Sequence, residues 1–447
     1  MKKEYISGCL KGYAKSDAVR LHMPGHKGKG AGILKKAYAL DITELSFSDN
    51  LACPSGVIAK AEKDIAKLLG AKRSRILTGG STLGIFAMVH AVKERGSKLL
   101  VQRTAHKSIF NALELLGIEP VILNDNFSQD GIGCSTFEND YLFDLNDSDL
   151  IGALLTSPDY FGRALNLKQI KNRLNKNGKL LLIDGAHGGH FAFENRQIYA
   201  GSYADIWVDG AHKTFQTLTQ GAILNVNNPS LIEGIEEGLS VFSTTSPSYL
   251  IMASVESGVK RYCDLKEKNY KEFTLAKQKL TEGIVDLGLS VLPCDDILKL
   301  TLCLNGKADG NKIGELLEEN GIYAELACKN HILFMLSFAF SLTDAERIIE
   351  ALKKAEYKEA INNNVAFPTL SRAMDYNLAR KAKTEEIPLK EASGRICACN
   401  AGVFPPCYPV ILAGEVFDNN AIELLSAPNT FGVLEKNGEK TVKVVKG

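Results

Sequence analysis

The chain has 447 residues and a formal net charge of +1, because 53 lysines and arginines nearly balance 52 aspartates and glutamates. Hydrophobic residues make up 45% and charged residues 23%, a composition typical of soluble globular enzymes rather than of disordered or fibrous proteins. The small net charge gives no reason to expect nucleic acid or a membrane surface as a partner.

The length predicts about two to four domains. No apolar signal segment follows the first residues, and no apolar run approaches the ~18 residues of a membrane span, so we expect a cytoplasmic protein. The ten cysteines contain no CxxC pair, the closest two being Cys397 and Cys399. In the cytoplasm we expect them to be reduced thiols.

Residues 1–55 form a predicted N-terminal segment. It contains His22-Met-Pro-Gly-His-Lys27, a cation-rich Pro-Gly turn that fits either a solvated loop or a loop reaching an anionic ligand. A helix is predicted from Val57 to Leu69, with Ser55 as its cap and Gly70 as its end.

Residues 56–287 alternate predicted strands with predicted helices, which is typical of a parallel sheet covered by helices. The predicted strands are 75–78, 98–101, 120–123, 151–156 and 179–183, with a short β-like run before Lys213. The predicted helices are 85–94, 109–116, 167–174 and 249–287. Polar residues with little pattern occupy 124–149. This part is predicted to be one large α/β domain.

Polar residues follow several of these strands, where ligands of open α/β sheets collect. Gly79-Gly-Ser-Thr82 opens a helix and fits either an anion site or an ordinary hydroxyl cap. His106 follows the second strand. Asp184 ends an almost wholly apolar strand, so it is either a turn cap or the partner of a cation.

Lys213 lies behind a Gly-Ala-His turn and is a candidate Schiff-base nucleophile, with His212 beside it as a candidate proton carrier. The alternative is a solvated surface pair. His187 and His190 stand three residues apart without a second ligand pair, so no metal site is expected. Six of the eight histidines fall in these loops, which favours one shared site (residues 22, 26, 106, 187, 190 and 212).

The remaining chain is predicted to form a small α+β domain, 288–361, and a C-terminal domain, 362–447. The first has predicted strands at 297–304 and 332–336 and helices at 311–319 and 343–355. The second begins with a linker, 362–372, and contains the Pro-rich stretch 404–409. The hydroxyl-rich run 240–248 fits either further phosphate donors or a turn.

A phosphate cradle, a histidine over a ring, a carboxylate at a ring nitrogen and a Schiff-base lysine form the set that pyridoxal 5'-phosphate (PLP) uses. In this chain the order is Ser81/Thr82, His106, Asp184 and Lys213. Here the sequence resembles the Orn/Lys/Arg decarboxylase family over nearly its whole length. The motifs that carry the resemblance are Met23-Pro-Gly-His-Lys27, Thr78-Gly-Gly-Ser-Thr82, His106-Lys-Ser108, Thr156-Ser-Pro-Asp-Tyr160, Asp184-Gly-Ala-His-Gly188, Ala211-His-Lys-Thr214 and Ser243-Thr-Thr-Ser-Pro-Ser-Tyr249.

The resemblance implies an aminotransferase-like PLP fold type I, with a large, mainly parallel seven-stranded sheet domain and smaller α+β C-terminal domains. It implies that Lys213 holds the cofactor covalently, that His106 lies over its ring and that Asp184 keeps the ring nitrogen protonated. The implied phosphate contacts are Ser81, Thr82 and Thr244, and His187 is a further cofactor-binding candidate. The family places its active site at a homodimer interface, from which the partner would supply Thr244.

The implied activity is decarboxylation of arginine, lysine or ornithine, with arginine slightly favoured, to an amine for polyamine metabolism. Lys213 or His212 is the candidate for returning a proton to Cα, and Glu415 is the candidate for holding the distal cation of the substrate. One alternative is a transaminase or lyase of the same fold. Another is a catalytically degenerate binding or regulatory protein, suggested by departures from the family pattern at Gly185, Gly210 and Cys407.

Overall fold

The computed structural model of the chain describes residues 3–123, 145–358, 370–404 and 407–447. A seven-stranded sheet forms its centre. The strands are β1 Arg73–Leu77, β2 Lys98–Gln102, β3 Glu119–Leu123, β4 Leu150–Thr156, β5 Leu180–Gly185, β6 Ile206–Asp209 and β7 Ala222–Val226. Their spatial order is β1-β7-β6-β5-β4-β2-β3, and only β7 runs antiparallel to its neighbours. The prediction of a large, mainly parallel sheet is confirmed.

Helices cover both faces of this sheet. From the N-terminus they are α1 Tyr5–Ala14, α2 Lys35–Tyr38, α3 Val57–Leu69, α4 Gly80–Val92, α5 Lys107–Leu116, α6 Leu167–Lys176, α7 Phe191–Glu194, α8 Ala211–Thr214, α9 Ile232–Phe242 and α10 Tyr249–Asp286. Because side chains alternate along a strand, Leu181 and Ile183 of β5 join the core on the side of α3, α6 and α10. Leu182 joins the core formed with α4 and α5.

Helix α3 confirms its predicted bounds, and Gly70 ends it in the left-handed conformation at φ 76°. The prediction that Ser55 caps it is wrong. The carboxylate of Asp49 accepts from the backbone N–H groups of Gly56 at 2.7 Å and Ile58 at 2.9 Å, so it satisfies the free donors of the first turn.

A second, antiparallel sheet follows α10. Its strands are β8 Ser290–Val291, β9 Lys299–Cys303, β10 Leu326–Cys328 and β11 His331–Met335, in the order β10-β11-β9-β8. Helices α11 Gly310–Glu319 and α12 Leu342–Leu352 pack against it around one apolar core. This four-stranded sheet, called the small sheet below, matches the α+β pattern that the sequence predicts.

The C-terminal part contains two three-stranded sheets. Its elements are α13 Tyr376–Lys381, β12 Thr384–Pro388, β13 Ala401–Val403, β14 Pro409–Ile411, α14 Asn419–Leu425, β15 Thr430–Phe431, β16 Val433–Lys436 and β17 Glu439–Val445. The sheet orders are β12-β17-β16 and β14-β13-β15. Within the described ranges, no helix has the length and apolarity to cross a membrane. Most of the polar run 124–149 and of the linker 362–372 lies outside the described residues.

Candidate active site

A cavity of about 420 Å³ opens where the strands of the large sheet end. Its walls come from the first turn of α4, the segments after β2, β4, β5 and β6, the small sheet and the C-terminal part. Seven of the residues that the sequence predicts for the site line this one cavity: Ser81, Thr82, His106, Asp184, His187, His212 and Lys213.

Lys213 lies in α8, a single turn that follows β6 directly, so its side chain reaches the cavity. Burial lowers the pKa of its amine, and the Asp184 carboxylate opposes this shift. The Nζ atom lies 3.1 Å from Nε2 of His187. Because the neutral amine is the nucleophilic form, this environment suits covalent attachment of a carbonyl compound.

Asp184 ends β5 and is 4% exposed. Burial raises its pKa, while the Lys213 ammonium and a hydrogen bond from the backbone N–H of Ala186, at 3.1 Å, lower it. A buried carboxylate needs a cationic or donating partner to stay ionised. A protonated ring nitrogen is such a partner.

The phosphate-binding candidates lie at the start of α4. The N-terminus of this helix is positively polarised, and Ser81 and Thr82 are in its first turn. The Ser81 hydroxyl is buried and has no hydrogen-bond partner in the described part of the chain, so it is free to donate to a ligand.

Gly210 lies close to this hydroxyl. A Cβ at position 210 would stand 3.1 Å from Ser81 Oγ and 2.4 Å from the carbonyl oxygen of Ala186. A side chain at this position would collide with the backbone and crowd Ser81. The departure at Gly210 therefore keeps the phosphate-binding end of the cavity open.

Two histidines have defined tautomers. The backbone N–H of Ser108 donates to Nδ1 of His106 at 3.2 Å, so the proton of the neutral ring is on Nε2. Burial, with help from Lys213 and Lys107, lowers the pKa of His106 to about 4, which keeps this ring uncharged. His212 donates from Nδ1 to the carbonyl of Gly221 at 2.9 Å, and burial lowers its pKa as well.

Tyr160 and Glu325 also line the cavity, although the sequence pattern predicts no role for either. The Tyr160 hydroxyl donates to Glu325 Oε1 at 2.8 Å, and its ring lies edge to face with His187 at 5.4 Å. Tyr160 belongs to a motif that carries the family resemblance. Glu325 precedes β10 without any sequence signal.

The C-terminal part closes one wall of the cavity with Phe404, Cys407 and Tyr408. Cys407 has φ 69°, and its carbonyl oxygen accepts from the backbone N–H of Lys107 at 2.9 Å. The departure at Cys407 thus lies in the cavity wall.

Glu415 does not contact this cavity, which corrects the expectation that it holds the substrate. Its buried carboxylate forms an ion pair with the guanidinium of Arg103, with Nη2 and Oε2 2.7 Å apart. It also accepts from the backbone N–H of Leu412 at 2.8 Å. These contacts use the carboxylate to join the C-terminal part to the end of β2.

Thr244 is not among the residues that line the described cavity either. It lies exposed after α9, and its hydroxyl oxygen accepts from the backbone N–H of Ser246 at 3.2 Å.

Comparison with known proteins agrees with this geometry. Residues 6–285 match the Orn/Lys/Arg decarboxylase major domain, and residues 354–433 match the C-terminal domain of the same family. The chain belongs to the Orn/Lys/Arg decarboxylase family. An arginine decarboxylase of Bacillus subtilis (strain 168) is 31% identical over 93% of this chain and 91% of its own length.

Solved structures share the fold. The constitutive lysine decarboxylase of E. coli superposes with a TM-score of 0.81 at 19% identity, covering 99% of this chain and 82% of that one. A structure of SPT with PLP has a TM-score of 0.53 at 12% identity, over 79% of this chain and 83% of that one. The fold is PLP fold type I.

The protein is a carboxy-lyase of the Orn/Lys/Arg decarboxylase family, and pyridoxal phosphate is its cofactor. The cavity fits this group, because a partnerless buried hydroxyl, a buried carboxylate and a lysine with a lowered pKa line the same space. When bound, the cofactor withdraws the electron pair left on Cα as the carboxylate departs.

Proposed function

We propose that the chain removes the α-carboxylate of arginine or lysine, with arginine favoured and ornithine as a further candidate. The observation that carries the proposal is the position of Glu325. This carboxylate borders the cavity with Lys213 and Asp184, and it also borders a second cavity of about 490 Å³. A cationic side chain of the substrate would meet an opposite charge where the two cavities join.

Part of the lining of the second cavity is apolar. Phe215, Leu298, Leu336 and Phe338 contribute to it, together with Lys213 and Glu325. The methylene groups of an arginine or lysine side chain suit such walls, while the terminal cation needs an acidic partner. The arginine decarboxylase relative, at 31% identity, supports arginine as the first substrate to test.

The roles of the site residues follow from their contacts. Lys213 would hold the cofactor covalently until the substrate amine replaces it. Ser81, Thr82 and the start of α4 would bind the phosphate, and Asp184 would pair with the protonated ring nitrogen. His106, kept neutral by burial, would cover the ring face without adding charge.

Decarboxylation breaks the bond between Cα and the carboxylate, releases carbon dioxide and requires a proton on Cα. His212 is poorly suited to supply it, because its Nδ1–H donates to Gly221 and its lowered pKa leaves Nε2 unprotonated. Lys213 lines the same cavity, and the Asp184 carboxylate favours its protonated form against the effect of burial. We therefore assign proton return to Lys213.

The transaminase alternative predicts an arginine that holds the substrate carboxylate. Among the described residues, no arginine lines the cavity. This observation supports decarboxylation over amine transfer.

The test is release of carbon dioxide from arginine, lysine and ornithine, with the amine product identified by mass. We expect release from the wild type and none from Lys213→Ala. Lys98→Ala is the matched control, because Lys98 pairs with Asp147 at the opposite end of β2. Conversion of a keto acid without carbon dioxide release would instead establish a transaminase.

Glu325→Gln tests whether Glu325 binds the cationic end of the substrate side chain. We expect KM for arginine to rise by about ten- to a hundredfold, since a hydrogen-bonded charge pair contributes roughly 1.5–3 kcal/mol. An unchanged KM for all three amino acids would remove Glu325 from the substrate site while leaving the decarboxylase assignment intact.

We also propose a cytoplasmic homodimer that produces an amine for polyamine metabolism. Support comes from the exposed position of Thr244, which lies outside the cavity of its own subunit. Sedimentation tests the dimer, cell fractionation tests the location, and amine pools in a deletion strain test the pathway. Mixing Thr244→Ala subunits with Lys213→Ala subunits tests whether one subunit completes the site of the other.

A further inference from the structure

Lys299, the first residue of β9, is a buried cation beside the active site. Its side chain is only 2% exposed. The ammonium donates to two backbone carbonyl oxygens of the large-sheet unit, those of Asp159 at 3.2 Å and Tyr160 at 2.8 Å. Burying a charge is costly, and the two carbonyl groups together with the nearby Asp296 and Asp159 carboxylates offset part of this cost.

The segment that receives these hydrogen bonds is residues 157–163, called the Tyr160 loop below. It joins β4 to α6 and presents the Tyr160 ring to the cavity. The backbone N–H groups of Asp295 and Asp296 both donate to the carbonyl of Gly162, at 2.9 and 3.1 Å. The loop is therefore held against the segment that leads into β9.

The Tyr160 loop packs closely against Asp296 and Lys299. Gly162 has φ 90°, and a Cβ there would stand 2.7 Å from Cβ of Asp296 and 3.1 Å from Cδ of Lys299. His190, fully buried, contacts Asp296 with its Nε2 atom 2.8 Å from Oδ1. Lys299 thus lies in a closely packed contact between the Tyr160 loop and the small sheet.

Tyr160 connects the Tyr160 loop to the residues of the active site. Its hydroxyl donates to Glu325 at 2.8 Å, and its ring lies against His187, which in turn is 3.1 Å from the amine of Lys213. Displacement of the loop would move the hydroxyl away from Glu325. The carboxylate would then lose the donor that fixes its direction.

We propose that Lys299 is a positioning residue for substrate recognition: it fixes the Tyr160 loop, and through the Tyr160 hydroxyl it aims the Glu325 carboxylate at the distal cation of the substrate. The inference rests on the proposed function for its substrate. It makes Tyr160 and Lys299 a coupled pair that determines specificity without Lys299 touching the substrate.

The experiment compares kcat and KM for arginine in the holoenzyme of the wild type, Lys299→Met, Tyr160→Phe and the double variant. We expect each single change to raise KM about tenfold, the effect of one lost hydrogen bond to a charged group, with a smaller change in kcat. The double variant should be no worse than the more affected single variant, because both changes remove the same restraint.

Lys277→Met is the matched control. Lys277 is a partly buried lysine of α10, and its ammonium donates to the carbonyl of Ile297 at 2.8 Å rather than to a carbonyl of the Tyr160 loop. We expect its KM to match the wild type. Additive effects in the double variant, or a KM rise in Lys277→Met equal to that in Lys299→Met, would overturn the proposal.

Hydrogen–deuterium exchange of peptides covering 157–163 provides a readout that does not depend on activity. Exchange should accelerate in Lys299→Met and stay at the wild-type rate in Lys277→Met. If no amino acid is decarboxylated but exchange accelerates in Lys299→Met, the proposed function fails, while the proposal that Lys299 fixes the Tyr160 loop stands. If decarboxylation occurs and exchange is unchanged in Lys299→Met, Lys299 does not fix the loop and the proposal is refuted. Should Lys299→Met not fold, Lys299→Gln retains a shorter donor and should give an intermediate exchange rate.

Discussion

The amine of Lys213 lies 3.1 Å from Nε2 of His187, inside the cavity that Asp184 and Ser81 also line. Burial lowers the pKa of His187 well below its ordinary value, so its ring is neutral. A neutral imidazole pairs with the lysine amine through Nε2 without adding a second positive charge. The pair therefore gives the amine a fixed direction.

Replacing His187 by phenylalanine keeps an aromatic ring beside Tyr160 but removes the ring nitrogen that pairs with the Lys213 amine. We expect the rate of carbon dioxide release to fall by about a hundredfold, as for loss of a group that assists proton transfer, while the cofactor stays attached. Single-turnover kinetics measure the first effect, and the mass of the borohydride-reduced protein measures the second. His90→Phe, outside the cavity, serves as control; a loss of attachment in His187→Phe would contradict this role.

Ser81→Ala removes a hydroxyl that has no partner in the described part of the chain. We expect the dissociation constant for pyridoxal phosphate to rise about tenfold, because a hydrogen bond to a charged phosphate is lost. The cofactor-free protein should unfold at the wild-type urea concentration. Absorbance titration and urea unfolding measure the two quantities.

Ser48→Ala is the control for Ser81→Ala. The Ser48 hydroxyl is buried, donates to the carbonyl of Thr43 at 2.9 Å and accepts from the N–H of Leu45 at 2.7 Å. Its loss should lower the free energy of unfolding by about 1 kcal/mol and leave cofactor affinity unchanged. If Ser81→Ala lowered the free energy of unfolding and left cofactor affinity unchanged, while Ser48→Ala lowered cofactor affinity, Ser81 would be rejected as a phosphate contact.

Glu415→Gln should affect stability rather than substrate choice. The change leaves the Arg103 guanidinium, which is 5% exposed, without its charge partner. Breaking one side of a buried ion pair costs about 3–5 kcal/mol, so the free energy of unfolding should fall by that order. The ratio of kcat/KM for arginine and lysine should stay constant. A changed ratio with unchanged stability would return Glu415 to the substrate site.

The sequence predicts the large sheet well because its strands are apolar runs and its helices have clear 3.6-residue spacing. The cofactor-side candidates also follow from the sequence, since the carboxyl ends of parallel strands meet at one sheet edge. Ser81 and His106 follow such ends, and Asp184 is the last residue but one of β5. The domain boundaries after residues 55, 287 and 361 stay predictions.

Contacts between segments that are distant in the sequence leave no pattern comparable to the spacing of apolar residues in strands and helices. Tyr160 and Glu325 meet only because the small sheet docks against the loop after β4, and Arg103 finds Glu415 from the far end of the chain. An isolated acidic residue in a sequence is equally consistent with a substrate contact and a buried ion pair. Helix α9 was not predicted, and its last residues fall in the hydroxyl-rich run 240–248, which fits either further phosphate donors or a turn.

Asp209, the last residue of β6, predicts how the stability of the protein depends on pH. Its Oδ2 atom accepts from the Tyr199 hydroxyl at 2.9 Å, the Trp207 indole N–H at 3.0 Å and the Asn225 amide at 2.9 Å. Its Oδ1 atom is buried without a partner in the described part of the chain. Burial raises the pKa of Asp209 to about 7.

The sign of the effect follows from proton binding. In the unfolded chain an aspartate has a pKa of about 4, so between about pH 4 and 7 the folded state keeps a proton that the unfolded state has lost. The stabilisation from this group is complete below the unfolded pKa and declines as the pH rises to the folded pKa. Asp209→Asn cannot titrate, and its amide oxygen still accepts from the same donors.

We therefore expect the free energy of unfolding of the wild type to fall relative to Asp209→Asn by up to about 1.4 kcal/mol per pH unit in this window, and to run parallel to it above. Urea unfolding of both proteins at a series of pH values measures the difference. If the two curves are parallel from about pH 4 upwards, Asp209 is ionised throughout, and the three donors hold a carboxylate rather than a carboxylic acid.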